Sequence, residues 1–181
     1  MLRPILIPCI LTLSGLPVFA EEYCATLRDM QPYKQETTCV SSVLPAQSGN
    51  RYDIRSLMDG SDKTAWCEGV GGHGVGQSIE FTYVESVPIR SIWLSNGYAK
   101  SSESFTANSR IKDVTINFWA VGDRAMRSVS FRLPDTMQEV ELPLEWTQYE
   151  PARLQVVIDD VYPGSRWSDT CVNKIWVDFY M

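Results

Sequence analysis

The polar side chains able to do chemistry in this chain fall in five clusters. They are Asp59-Gly60-Ser61-Asp62-Lys63-Thr64-Ala65-Trp66, Glu68 to Gly76 (EGVGGHGVG), Asn96-Gly97-Tyr98, Asn108-Ser109-Arg110-Ile111-Lys112, and Tyr162 to Thr170 (YPGSRWSDT). Asn96, Tyr98, Asn108, Arg110 and Lys112 combine amide, aromatic and cationic groups. Hydroxyl-rich ligands need planar, bidentate donors and acceptors, and the apolar face of a ring stacks on an aromatic side chain. The cations would further suit a carboxylate or sulfate. Tyr162 and Trp167 bracket Pro163-Gly164 and make a stacking platform if exposed, core if buried. The loop EGVGGHGVG holds five glycines in nine residues, which suits positive φ or the close approach of a ligand. It lacks the GK[ST] ending of a phosphate loop. His73 within it is either a contact to a hydroxyl or a solvated side chain. The plain alternative is that Asn96-Gly97 is a turn, Tyr98 packs, and Arg110 pairs with Glu68 or Asp169 to fasten neighbouring loops.

Catalysis has little to build on. A Ser or Cys nucleophile with His73 as base lacks an evident orienting group, and neither GxSxG nor HExxH occurs. Glu68 and Asp169 could form a glycosidase pair, but two acids among 22 fall together easily. The expectation is a non-enzymatic protein.

The elements that must position these clusters are strands. Ile79, Phe81 and Tyr83 alternate with polar residues, as do Val114, Ile116 and Phe118, then Val129, Phe131 and Leu133. The same period of two runs through Val140, Leu142 and Leu144, through Leu154, Val156 and Ile158, and through Ile175, Val177 and Phe179. With Ile89 to Leu94 this predicts about seven strands separated by Gly, Pro, Asn and Asp turns. A short helical-looking turn, Ile54 to Met58, is broken by Asp59-Gly60, and no stretch has a convincing amphipathic helical period. The fold class is an all-β sandwich, with the polar clusters between strands, where binding residues usually lie.

The first residues, MLRPILIPCILTLSGLPVFAEE, have the n-region (Arg3), apolar h-region (Ile5 to Leu16) and small-residue cleavage site (Val18-Phe19-Ala20) of a signal peptide. Three spans follow: a signal peptide over 1–20, an N-terminal extension over 21–50 with no sustained period, and one domain over 51–181. Net charge is −6, which disfavours nucleic acid. No other stretch approaches the roughly 20 consecutive apolar residues of a membrane span. Secreted or periplasmic placement is expected. Four cysteines remain beyond the signal peptide, Cys24, Cys39, Cys67 and Cys171, an even set suited to an oxidising compartment. Of the three pairings we favour Cys24 with Cys39, within one segment, and Cys67 with Cys171, tying an early loop to the last strand. There is no CxxC and His73 is the only histidine, so zinc is disfavoured.

DGSDKTAW, EGVGGHGVG, NGYAKSSESFTANSRIK and VYPGSRWSDTC, in that order from about Tyr52 to Val177, resemble the glycan-binding domain named after the streptococcal NAD glycohydrolase. That module belongs to the discoidin, or galactose-binding-like, jelly-roll sandwiches. The resemblance implies a discoidin-like jelly roll and a glycan or glycoconjugate partner; it does not imply NAD hydrolysis. It assigns glycan contacts to Glu68, His73, Asn96, Tyr98, Asn108, Arg110, Lys112, Tyr162, Trp167 and Asp169. In discoidin-like folds the first loop commonly wraps a structural calcium, here through Asp59, Asp62 and Thr64, needing 6 to 8 oxygens at about 2.3–2.6 Å. Lys174 stands where such families often carry Glu. An ammonium cannot ligate a cation and can take its place, so no cofactor is expected and calcium and Lys174 are competing readings. The other functional reading is a protein-interaction module using Trp119, Trp176 and the N-terminal extension. Trp119 and Trp176 lie opposite the apolar set of their strands and either pack beneath that extension or form an exposed patch.

Overall fold

The computed structural model describes residues 23–146 and 148–180. The proposed signal peptide, 1–20, lies outside them. Among the described residues ten strands form two antiparallel sheets, the all-β sandwich that the alternation of apolar residues leads to and the discoidin-like architecture that the resemblance implies. The six-stranded sheet runs β1 (Cys24–Met30), β2 (Tyr33–Val40), β4 (Ser78–Val84), β9 (Pro151–Tyr162), β6 (Arg110–Ala120) and β7 (Met126–Arg132). Facing it are β3 (Trp66–Cys67), β10 (Cys171–Phe179), β5 (Ile89–Asn96) and β8 (Val140–Pro143), in that order.

The period of two puts one side of each strand into the core. Ile79, Phe81, Val114, Ile116, Phe118, Leu154 and Val156 from the larger sheet meet Ile92, Leu94, Leu142 and Ile175 from the smaller. Trp66 is fully buried at its edge, with its indole N–H donating to the Ser42 carbonyl at 2.8 Å. Residues 24–40, where no period is legible, supply β1 and β2, and β2 pairs with β4 from Gln35↔Val84 to Val40↔Ile79.

Two helical elements interrupt the strands. A single 3-10 turn, Ile54–Leu57, starts at Asp53, whose carboxylate accepts from the Arg55 amide at 3.0 Å. The helix α1 (Ser102–Ala107) forms in a loop where no amphipathic period is legible. It is held by reciprocal capping: Ser101 Oγ accepts from the Ser104 amide at 3.1 Å and Ser104 Oγ from the Ser101 amide at 2.8 Å. Phe105 alone is buried along it, too few apolar residues for a readable period.

Disulfides join Cys24 to Cys39 and Cys67 to Cys171, the favoured pairing. They point to an oxidising compartment. No helix among the described residues is long and apolar enough to cross a membrane.

Candidate functional site

The polar loops gather at one end of the sandwich, and the two sheets are stitched there by a side chain. Asn96, at the end of β5, is fully buried; its Nδ2 donates to the Ile111 carbonyl at 2.6 Å and its Oδ1 accepts the Ile111 amide at 3.0 Å. One amide thereby replaces a missing ladder pair between strands of different sheets. Gly97 follows at φ 72°, and a Cβ there would meet Arg110 Cγ at 2.6 Å and the Phe105 ring at 2.8 Å. Only glycine lets the turn lie that close.

Arg110, on β6, is the hub beneath it. Its guanidinium lies over the Phe105 ring at 5.0 Å and forks onto Asp135, with Nε to Oδ1 at 3.0 Å and Nη2 to Oδ2 at 2.6 Å. Nη1 also donates to the Asn108 carbonyl at 3.0 Å. The fastening partner is Asp135, not Glu68 or Asp169, because the antiparallel return through β7 brings residue 135 back alongside the start of β6. Arg110→Ala is expected to cost about 2 kcal/mol, since a charged fork is lost and carbonyls lose a donor, lowering Tm by roughly 4–8 °C. A thermal melt unchanged by the substitution would remove Arg110 from this structural role.

Glu68 is fully buried, with Oε2 accepting the Val70 amide at 2.8 Å and Oε1 the Thr170 amide at 3.1 Å. Burial pushes its carboxyl up, against the pull of those two amides. His73 Nδ1 lies 3.0 Å from Ser109 Oγ, which also accepts the Gly164 amide at 3.0 Å. Ser109 is fully buried while His73 is exposed, so the serine hydroxyl is closed to a substrate, as is the Glu68 carboxylate. Tyr162 donates its hydroxyl to the Leu133 carbonyl at 2.8 Å, and the Lys112 ammonium binds Asp160 at 2.5 Å.

Tyr98, Asn108, Trp167 and Asp169 are brought together instead. They border a cleft of 570 Å³ between three walls: residues 44–52, the stretch from Tyr98 through α1, and the loop carrying Trp167. Tyr98 is a floor residue, 7% exposed, donating to the Lys63 carbonyl at 3.2 Å and meeting Tyr52 edge-on at 6.2 Å. Burial raises its phenol, which stays a neutral donor. Asn108 donates to the Ser104 carbonyl at 2.8 Å. Trp167 is 49% exposed, and Arg166 lies 4.9 Å over its ring. The loop is locked rather than loose. Trp167 and Arg166 amides donate to the Ala107 carbonyl at 2.8 and 3.1 Å, and the Ser165 amide to Thr106 at 2.9 Å. Gly164 allows that approach, as a Cβ there would meet the Ala107 carbonyl at 2.4 Å.

Sequence reasoning did not single out Asn50, Tyr52, Lys100 and Arg166 on these walls. The signal for Arg166 was adjacency to Trp167, and Lys100 follows Tyr98 closely in the same loop; for Asn50 and Tyr52 there was none. Of the remaining candidates, Glu68, His73, Asn96, Arg110, Lys112 and Tyr162 do not border this cleft.

The loop expected to weigh calcium against Lys174 does not fit a metal. Thr64 Oγ1 donates to Asp59 at 2.9 Å, and Asn173 Nδ2 donates to the carbonyls of Ser61 at 3.0 Å and Thr64 at 2.5 Å. The Lys174 ammonium binds Asp62 at 2.5 Å. The oxygens a calcium would collect are turned toward protein N–H donors and a resident cation. Saturating calcium at 1,000 Kd would add about 4 kcal/mol; melts in calcium and in chelator are therefore expected to coincide, and a chelator-induced drop would restore the metal.

Trp119 and Trp176 part company. Arg153 lies 4.2 Å over the Trp119 ring, whereas Trp176 is 44% exposed and stacks on Trp93 at 5.6 Å.

The sequence pattern of the family described as NAD glycohydrolase translocation F5/8 type C domain matches residues 31–178. No curated protein matches. Among solved structures the chain is similar to CpGH89CBM32-5 of Clostridium perfringens, in complex with GalNAc-β-1,3-galactose, at 15% identity and TM-score 0.57, covering 79% of this chain and 94% of that one. It is similar to the family 32 carbohydrate-binding module of NanJ from the same organism, in complex with galactose, at 14% identity and TM-score 0.56, covering 78% and 92%. An F5/8 type C domain from Bacteroides fragilis aligns at 11% identity and TM-score 0.56, covering 88% and 99%.

Proposed function

Since the chain belongs to the NAD glycohydrolase translocation F5/8 type C domain family, we propose that it is an exported, non-catalytic carbohydrate-binding module. The observation that carries this reading is Trp167, half exposed and fixed by backbone bonds to α1, facing a cleft with polar walls. Its indole stacks the apolar face of a pyranose. Asn50, Asn108 and Asp169 take hydroxyl groups, and Lys100 and Arg166 reach toward anionic substituents. In this reading Glu68, His73, Asn96, Arg110, Lys112 and Tyr162 set the shape of the loops and touch no sugar. One shallow site offers few apolar contacts to offset the cost of ordering a ligand, so single-site affinity is weak and display in many copies makes it useful.

Residues 1–20 act as the signal peptide, delivering residues 21–181 to the periplasm or the exterior. The solved neighbours with galactose-containing ligands make galactose and GalNAc-β-1,3-galactose the first probes. A glycan array with the protein clustered on a multivalent support is expected to give a coherent set of hits, with no sugar cleaved. A blank array from folded protein would turn the reading to a protein-interaction module centred on the exposed Trp93–Trp176 stack.

A further inference from the structure

A second cleft, of 370 Å³, opens between the β1–β2 edge and β10 and shares no lining residue with the first. Its lining includes Tyr33, Glu36, Phe81, Trp176 and Phe179. Alternation along β2 turns Glu36, Thr38 and Val40 inward, which places a carboxylate where a sandwich ordinarily has an apolar residue. Glu36 is 7% exposed. Its Oε1 accepts from Thr38 Oγ1 at 3.0 Å, the Tyr83 hydroxyl also hydrogen-bonds to the carboxyl, and no basic side chain pairs with it among the described residues. A carboxylate can accept several more hydrogen bonds than that. Burying one without a cation is costly.

The rings around it form a cluster. Tyr33, Tyr83 and Phe179 stand pairwise at 5.7, 5.8 and 5.5 Å between centroids. Aromatic faces attract cations electrostatically, more strongly when water is excluded. A desolvated carboxylate beside aromatic rings is the environment that recognises an ammonium group. Lys174 at the rim does not fill this role, because its ammonium is held by Asp62 at 2.5 Å.

We propose that this cleft is a ligand site for a primary ammonium carried on a short apolar stem, the stem lying against Phe81, Trp176 and Phe179 and the ammonium donating to Glu36. Burial raises the Glu36 carboxyl, so the empty site holds its proton to higher pH than an exposed glutamate does, and an ammonium bound beside it favours the ionised form. The other titratable groups around it are Tyr33 on the same strand, Tyr83 on β4 and Lys174 on β10. Burial pushes Tyr33 up to about 12 and Tyr83 well above its usual value, so both remain neutral. Affinity for the ammonium therefore rises with pH through the titration of Glu36, while that for a neutral ligand does not.

The test is a titration of the purified protein, followed by backbone amide NMR shifts, with benzylammonium and with benzyl alcohol as its neutral counterpart. Benzylammonium is expected to shift Glu36, Thr38 and Phe179 amides and to bind roughly tenfold tighter than the alcohol at pH 8. Glu36→Gln keeps the shape and removes the group that can ionise; it is expected to melt no lower than the parent and to bind both compounds alike. Equal binding of the two compounds to the parent protein overturns the proposal, as does an ammonium preference that survives Glu36→Gln, or no binding of either. Nα-acetyl-lysine methylamide distinguishes the sources. Binding comparable to benzylammonium assigns the site to a lysine side chain of a protein, and its exclusion assigns a free amine.

Discussion

Trp167→Ala is expected to weaken glycan binding by at least about thirtyfold and to leave the melting temperature nearly unchanged. The indole is half exposed, so a sugar stacked on it would complete a burial that folding leaves unfinished. Covering that ring and gaining its stacking geometry contributes about 2 kcal/mol, which is roughly thirtyfold in affinity. The fold loses little in return. The loop is anchored by main-chain amides to the Thr106 and Ala107 carbonyls, and those remain in alanine. The contact with Arg166 is worth about 0.5–1 kcal/mol at an exposed site. Competition binding of the parent and the variant on the highest-ranking array sugar decides the matter. A variant that binds as well as the parent would remove the cleft from the function, whereas one that binds poorly because it melts early would return Trp167 to a structural role. Trp167→Phe should keep part of the affinity.

Removing the Cys67–Cys171 bridge is expected to produce the largest loss of stability of any change considered. It closes a span of 104 residues, for which the chain-entropy account gives about 4.7 kcal/mol, hence a fall in Tm of roughly 10–18 °C for the Cys67→Ala/Cys171→Ala double variant. The Cys24–Cys39 bridge spans 15 residues and joins neighbouring strands at a sheet edge, so its removal should cost less, about 3 kcal/mol. Scanning calorimetry of the two double variants tests both the size and the order. Equal falls, or a larger one for Cys24–Cys39, would show that loop length does not govern the effect. The first bridge also has a bearing on the cleft. Cys67 and Cys171 are buried with Tyr52, Ala65 and Tyr98 in one cluster beneath it, so the variant should lose ligand affinity even where it remains folded.

The sequence made the strands with apolar inner rows legible, because Ile79, Phe81 and Tyr83, or Leu154, Val156 and Ile158, follow the two-residue period without interruption. It hid β1 and β2 for a physical reason: inward positions on β2 are Glu36 and Thr38, and outward ones carry threonine and cysteine, so the contrast between faces vanishes. The helix α1 was hidden by its length. At the loop end the residue types marked clusters that the fold gathers together, but not the direction of each side chain. Asn96, Glu68 and Arg110 are as polar as Asn50, Lys100 and Arg166, yet the first three are consumed by carbonyls and amides of adjoining loops. Which polar group turns inward depends on where orphaned main-chain groups lie, and that is set by strand ends distant in sequence.

The placement of β10 bears on when the molecule can become folded. A chain emerging from a ribosome in order of synthesis has β5 and β8 paired early, yet β3 has no partner, and β5 lacks its other one, until residues 171–179 arrive to lie between them. Until then the inner rows of the larger sheet have no complete second layer, and Cys67 waits for Cys171. Contacts of such long sequence separation are slow to form. The nascent polypeptide thus stays open through most of its own production, and closure, joining of Cys67 to Cys171 and the shaping of the loop-end cleft follow together once β10 has arrived.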